Sequence, residues 1–210
     1  MATLLSYALT NVNDVKESLG IDAGDTSKDN LIIRKINQAT LYIESYCSLS
    51  RDHHFALTTY TNEEYDGTNN STIVLRMRPV TAITSFQRRD STLSDGSFDD
   101  VESELYYKDL NAGVIELVTR SNSGWNRYRV TYTAGYTTIP ADLAEACVTL
   151  ACYYVENSAS GTAVKKKQEG QRSIEYFQAG TSGSGDSLID QLGVDDVLAR
   201  YKQYNLSDSL

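Results

Sequence analysis

Three groups of residues in this chain have types and spacings that could do chemistry. Asp52, His53 and His54 stand together, and imidazole beside carboxylate is a common start for a metal shell or a proton relay. Neighbouring residues of an extended segment point to opposite faces, however, and no cysteine or third histidine lies close enough in sequence to complete a shell. The pair therefore reads as an exposed or half-buried polar step at the end of a long helix. Glu63, Glu64 and Asp66 form the second group. A glycosidase needs two carboxyls facing each other across a cleft in different environments. Here the run passes directly into Asp66-Gly67-Thr-Asn-Asn-Ser71, the composition of a turn. The third group is Cys47, Cys147 and Cys152, an odd number of thiols, all inside apolar helical patterns. They lack the spacing of zinc or redox motifs and read as buried free cysteines in a reducing compartment. No phosphate-cradling glycine loop, zinc-protease helix motif or nucleophile elbow is present. The expectation is a chain with no catalytic residue, no metal and no cofactor.

Charge narrows the field further. The 210 residues carry a formal net charge of −9, which argues against a protein that gains affinity by neutralising DNA phosphates. It is compatible with a surface that DNA passes without sticking. Against that background Lys165, Lys166 and Lys167 stand out. They read either as a solvated loop or as a match for acidic surface on another subunit or partner, with direct DNA contact a third reading. Fifteen tyrosines against four phenylalanines add a hint of interfaces, since tyrosine buries area yet keeps a hydroxyl for a wet boundary. No window approaches 18 apolar residues, so no membrane span is expected. The first residues lack the basic and apolar regions of a signal peptide, so the expected setting is the cytoplasm where the chain is made.

Hydrophobic periodicity supplies the elements. A short helix is expected over 13–19, with Asn13 as N-cap and Gly20 closing it. Ser27 or Asp29 is the candidate cap of a long helix over Asp29–Tyr46, where Ile32, Ile36, Ala39, Ile43 and Tyr46 recur at spacings of three and four. The middle changes character. Runs at 56–65, 73–77, 82–87, 105–108, 114–118 and 128–133 are rich in β-branched and aromatic residues and predict short strands. In the last of them Tyr128, Val130 and Tyr132 face one way and Arg129, Thr131 and Thr133 the other. Pro79 should begin or border a strand, and the acidic stretch 90–104 predicts a long surface loop. Pro140 opens a second helix over 141–155, with Leu143, Cys147, Leu150 and Tyr154 as its apolar stripe and Asp142 and Glu145 near its N-terminus. Two amphipathic helices and an antiparallel sheet cover each other's apolar faces, which predicts an α+β fold with a C-terminal extension.

After Asn157 the pattern loosens. Lys165, Lys166 and Lys167 lead into Arg172-Ser-Ile-Glu-Tyr-Phe177, a Gly/Ser spacer follows at 180–185, and Val194, Val197, Tyr201 and Tyr204 restore a helical stripe. Two readings stand side by side: a docking arm, or a tail that folds back so that its short helix caps the long ones. The expected division is a body at 1–157, with a β region inserted at 56–133, and an arm at 158–210.

The order of these pieces resembles the head-to-tail connector, or adaptor, family of long-tailed bacteriophages. The resemblance rests on Val15-Lys-Glu-Ser-Leu-Gly-Ile21, Ala39-Thr-Leu-Tyr-Ile-Glu-Ser-Tyr-Cys47, Tyr65-Asp-Gly67 and Leu75-Arg-Met-Arg-Pro-Val-Thr-Ala-Ile83. It continues through Gly113-Val-Ile-Glu-Leu117, Val130-Thr-Tyr-Thr-Ala-Gly-Tyr136 and Ile139-Pro-Ala-Asp-Leu143, and spans roughly residues 10–180. The departures are the insertion at 90–104 and the Gly/Ser segment at 180–187. The resemblance implies a mainly helical balance within the α+β class. It also implies a non-enzymatic virion protein at the head–tail junction, assembled as a ring of about twelve copies beneath the portal and able to stay monomeric when free. Its implied partners are the portal protein, the next neck or head-closure protein and further copies of itself, with DNA passing through the channel without specific binding and no membrane involved. The residues it points to as portal or partner interface are Lys165, Lys166, Lys167, Arg172, Ile174, Tyr176, Phe177, Val197, Tyr201 and Tyr204. A second reading is a tail or baseplate component that binds protein or glycan without forming a ring, using 66–71 and 90–104 as its recognition face. A third, a carboxylate hydrolase, would require a cleft and a Glu or Asp near position 63 or 66 with a raised pKa.

Overall fold

The computed structural model describes residues 1–89, 97–121, 123–158, 166–169, 172–175 and 188–203. The chain divides into two compact units, one built from Met1–Cys47 and Pro140–Lys202, the other from Ser48–Ile139 with Gln203.

The first unit is helical. Helix α1 (Val12–Ser18) is capped by Asn11, whose side chain accepts from the amides of Asn13 and Asp14. The cap is therefore Asn11 and not Asn13, because Asn11 has the extended backbone that aims a side-chain oxygen at the free amides. Gly20 follows the helix with φ +66°, the left-handed turn that favours glycine. Helix α2 (Asp29–Tyr46) buries Ile32, Ile36, Ala39 and Ile43 completely, as the spacing demands. Its N-cap is Lys28 with no side-chain cap bond, so neither Ser27 nor Asp29 serves there. The start is instead held by an ion pair between the buried Lys16 and Asp29, 2.6 Å, with the Lys16 amine also donating to the Ala23 carbonyl. Helix α3 (Ala141–Ser158) packs along α2 through Leu143, Cys147, Leu150 and Ala151 and runs one turn beyond the expected end. Thr40 Oγ1 and Cys147 Sγ meet at 3.8 Å inside this seam. The N-terminal residues are strapped to α2 by Asn37, which accepts from the Leu5 amide and donates to the Thr3 carbonyl.

The same unit contains the last described segment. Helices α4 (Leu188–Gln191) and α5 (Asp195–Ala199) bury Ile189 and Leu198 completely. A separate antiparallel hairpin, β8 (Lys166–Glu169) and β9 (Arg172–Glu175), pairs Lys167 with Ile174.

The second unit is built of strands, with one 3-10 turn. A four-stranded antiparallel sheet has the order β1 (Thr58–Gly67), β7 (Gly124–Ala134), β3 (Val80–Arg89), β4 (Phe98–Asp100). A smaller sheet has the order β2 (Thr72–Val74), β6 (Val114–Leu117), β5 (Tyr106–Asp109). Tyr128, Val130 and Tyr132 all face inward from β7, with Phe86 stacked on Tyr128 at 5.6 Å. Pro79 precedes β3 and its carbonyl accepts from the Gly135 amide. Gly135 has φ +105°, and a Cβ there would lie 2.7 Å from the Ala56 carbonyl oxygen, so only glycine fits where β7 leaves the sheet.

Two expectations need correction. The class is α+β, but it is not mainly helical: strands carry about as many residues as helices, because β3 and β7 run well beyond the six-residue apolar runs at 82–87 and 128–133. Within the acidic stretch 90–104, residues 98–100 form β4 on the edge of the main sheet, Ser103–Leu105 make a 3-10 turn, and residues 90–96 lie outside the described residues.

Candidate assembly surface

The densest polar constellation lies in the strand unit, and a backbone irregularity builds it. Tyr60 and Tyr65 are five apart on β1, which in a regular strand puts them on opposite faces. An extra residue between Tyr60 and Glu63 shifts the register, with Asn62 in the left-handed region at φ +57°. That bulge returns Glu63 and Tyr65 to the inner face beside Tyr60 and Tyr132.

Glu63, whose side chain is 13% exposed, then collects four partners. Its Oε2 accepts from the hydroxyls of Tyr65 and Tyr132 at 2.7 and 2.6 Å. Its Oε1 accepts from His53 Nε2 at 3.0 Å and from the Arg76 guanidinium at 2.9 Å. His53 Nδ1 in turn meets the Ser50 hydroxyl, and its ring stacks on Tyr60 at 4.8 Å. Burial alone pushes the Glu63 carboxyl up, but the bonds from His53, Tyr132, Tyr65 and Arg76 outweigh it and hold the group down at about 2. Burial pushes the Tyr132 and Tyr65 hydroxyls up, and the Glu63 charge adds to this. The arrangement braces and does not react: a general acid must still hold its proton near neutral pH, and Glu63 has lost its own far below that. Glu63 thus lacks the raised carboxyl that the hydrolase reading asks of it. The same cluster corrects the reading of His53, which is buried because the Glu63 carboxylate and the Tyr60 ring give it partners.

The cysteine thiols are also shifted away from the thiolate. Burial pushes the Cys47 and Cys147 thiols up to about 12, while Cys152 is half-buried and also raised, chiefly by burial. Among the described residues no group of three His, Cys, Asp or Glu side chains could hold a metal ion, and no helix is long and apolar enough to cross a membrane.

The residues expected at a partner interface are spread over the C-terminal segment. Lys165, Tyr176, Phe177 and Tyr204 lie outside the described residues. Lys166 and Lys167 sit on β8 and Arg172 and Ile174 on β9. Val197 is half-buried on α5, and Tyr201 follows that helix and donates to Asp142 at the start of α3 at 2.5 Å. Around them, Tyr46 of α2 donates to Asp195, Cys47 Sγ donates to the Leu198 carbonyl at 3.6 Å, and Lys202 lies 4.3 Å over the Tyr46 ring. Residues 188–202 are thus tied to both long helices of their unit. In the strand unit Gln203 exchanges two bonds with Arg78, accepting from its Nε at 3.3 Å and donating to its carbonyl at 3.1 Å.

Sequence reasoning missed the surface of the strand unit. Phe98 of β4 lies under the Arg129 and Arg89 guanidiniums at 3.8 and 4.5 Å, and Glu64 closes the group with a 2.6 Å bond from Arg129. Trp125, Tyr107 and Val118 are exposed large apolar side chains, Trp125 at 87%. Single exposed apolar residues are ordinary; Trp125, the one tryptophan of the chain, was the signal available in the sequence.

The fold has counterparts among solved structures. A chain in the neck of an empty gene transfer agent (GTA) particle, computed with C6 symmetry, is 17% identical with a TM-score of 0.55. A chain in the neck of the native GTA particle, computed with C12 symmetry, is 17% identical with a TM-score of 0.53. A chain in the virion of the native GTA particle is 16% identical with a TM-score of 0.54. In all three the likeness covers 97% of this chain and 94% of the other. At these identities it is a likeness of fold. No curated protein sequence matches the chain. The profile of the head completion protein family matches residues 8–174, most of the chain, and the protein therefore belongs to the head completion protein family.

Proposed function

We propose that this protein is a ring subunit of the neck, seated beneath the portal, which joins the DNA-filled head to the tail side and continues the DNA channel. Its family membership makes it a structural component of head completion and not an enzyme. That match is the observation that carries the reading. The fold likeness to a neck chain computed with C12 symmetry supports a ring of about twelve copies. Ring closure needs a heterologous contact, two different patches of one subunit meeting around the circle. The head–tail junction is the site of action in the virion, and assembly takes place in the host cytoplasm.

The portal above and the next neck protein below are the proposed partners. The net charge of −9 suits a wall that DNA must pass, since attraction to phosphate would slow transit. We assign residues 1–157 to the body and 158–210 to the portal-facing segment. Its proposed contact residues are Lys165, Lys166, Lys167, Arg172, Ile174, Tyr176, Phe177, Val197, Tyr201 and Tyr204. The full burial of Ile189 and Leu198 anchors this segment in the helical unit. The test is co-sedimentation of the full-length chain with purified portal rings: a stoichiometric complex supports the reading, and a chain that stays in the supernatant at micromolar concentration contradicts it.

A further inference from the structure

A small cavity of about 70 Å³ opens on the strand unit where the ends of several elements converge. It is lined by Arg88 from β3, Val101 after β4, Leu105 from the 3-10 turn, Leu117, Thr119 and Arg120 at and beyond the end of β6, and Tyr128 from β7. The lining divides by chemistry. Leu117 and Tyr128 are buried and form an apolar floor, with Val101 half-buried beside them. Arg88, Thr119 and Arg120 are exposed at the rim.

Neither guanidinium has an ion-pair or hydrogen-bond partner among the described residues. Asp99 is the cross-strand neighbour of Arg88, yet the two form no ion pair. This sets them apart from Arg76, Arg89 and Arg129 of the same unit, each of which reaches a glutamate. In a chain of net charge −9, two cations on one small cavity with no ion-pair partner among the described residues make a local site for an oxyanion. The cavity has room for a carboxylate or a phosphate group.

What flanks the cavity decides between those two. Leu105 is 42% exposed, and Val118, whose amide donates to the Leu105 carbonyl at 2.9 Å, is 53% exposed. A DNA backbone offers nothing to cover apolar side chains, whereas a protein segment with a carboxylate beside apolar residues covers both and satisfies the arginines. The overall negative charge also opposes DNA. We infer that this cavity receives an acidic, apolar-flanked segment of a neighbouring protein in the neck, with its carboxylate held between Arg88 and Arg120 and its apolar neighbours over Leu105 and Val118. The inference rests on the neck reading given above and adds a contact point on the strand unit, separate from the C-terminal segment.

The test uses the full-length chain, purified portal rings and the purified next neck protein. R88E/R120E should bind one of these partners at least tenfold more weakly, while R88K/R120K, which keeps the charge, retains most of the affinity. Because R88E would set a carboxylate opposite Asp99, R88Q/R120Q is the folding control: neither arginine has a partner among the described residues, so its unfolding midpoint should match wild type while its partner binding falls, which separates lost docking from lost folding. Wild-type affinity of R88E/R120E for both partners overturns the inference and leaves the neck reading intact. Failure of the wild-type chain to bind either partner refutes the neck reading itself, and this inference with it. A 20-base-pair DNA duplex bound by wild type and lost by R88E/R120E, with protein partners unaffected, also overturns it and reassigns the cavity to phosphate.

Discussion

Replacing Glu63 by glutamine should destabilise the strand unit in a pH-dependent way, and the structure sets both size and sign. In the folded chain four donors hold the Glu63 carboxyl at about 2, against an ordinary value of 4.5. At about 1.4 kcal/mol per tenfold change in proton affinity, that interval corresponds to about 3 kcal/mol. Arg76 is nearly half exposed and solvent screens its share, which trims the expected effect to about 2 kcal/mol. Because the folded-state value is depressed, the stabilisation is fully present above pH 4.5 and is lost as pH falls toward 2. Urea unfolding of wild type and E63Q, followed by tyrosine fluorescence, should therefore show a gap of about 2 kcal/mol at pH 7 that shrinks steadily below pH 4.5. A gap within 0.5 kcal/mol at pH 7, or one that stays constant down to pH 2.5, would refute the account of Glu63 as a multiply bonded carboxylate.

Three further outcomes follow from other parts of the molecule. Leu198→Ala should cost about 2–5 kcal/mol in the helical unit, because a fully buried leucine leaves a cavity, and calorimetry would show that unit melting earlier. Indifference to this change would mean that α5 is not part of that core. Gly135→Ala should cost more than about 2 kcal/mol, since it meets both a left-handed backbone and the carbonyls of Phe55 and Ala56; a soluble variant with an unchanged urea midpoint would contradict the crowding. Exchanging Lys165, Lys166 and Lys167 for glutamates should weaken co-sedimentation with portal rings more at 50 mM than at 500 mM salt. Weakening that ignores ionic strength would show that these charges do not steer docking.

The two long helices were legible because their information is local. Ile32, Ile36, Ala39 and Ile43 repeat on one face over eighteen residues, and the observed bounds of α2 match the expected ones. Tyr128, Val130 and Tyr132 were legible for the same reason, at a period of two. The Glu63 cluster was not, because its partners lie 10 and 69 residues away and the bulge at Asn62 hides their common face from any period-two count. Strand β4 was missed because Phe98-Asp-Asp100 has little strand character of its own; it pairs with β3, and two guanidiniums lie over its Phe98 ring. The caps failed on a finer point: Asn11 and Asn13 are equally good residues for the role, and only the backbone at position 11 decides between them. The order and spacing of the family's motifs carried the functional reading, and no single residue would have done so.

Electron microscopy of the full-length chain mixed with purified portal rings tests the central claim most directly. The account predicts a second ring of about twelve subunits stacked coaxially beneath the portal, with the channel continuous through both. Portal rings that remain bare, or that carry the chain as scattered density with no shared axis, would contradict it.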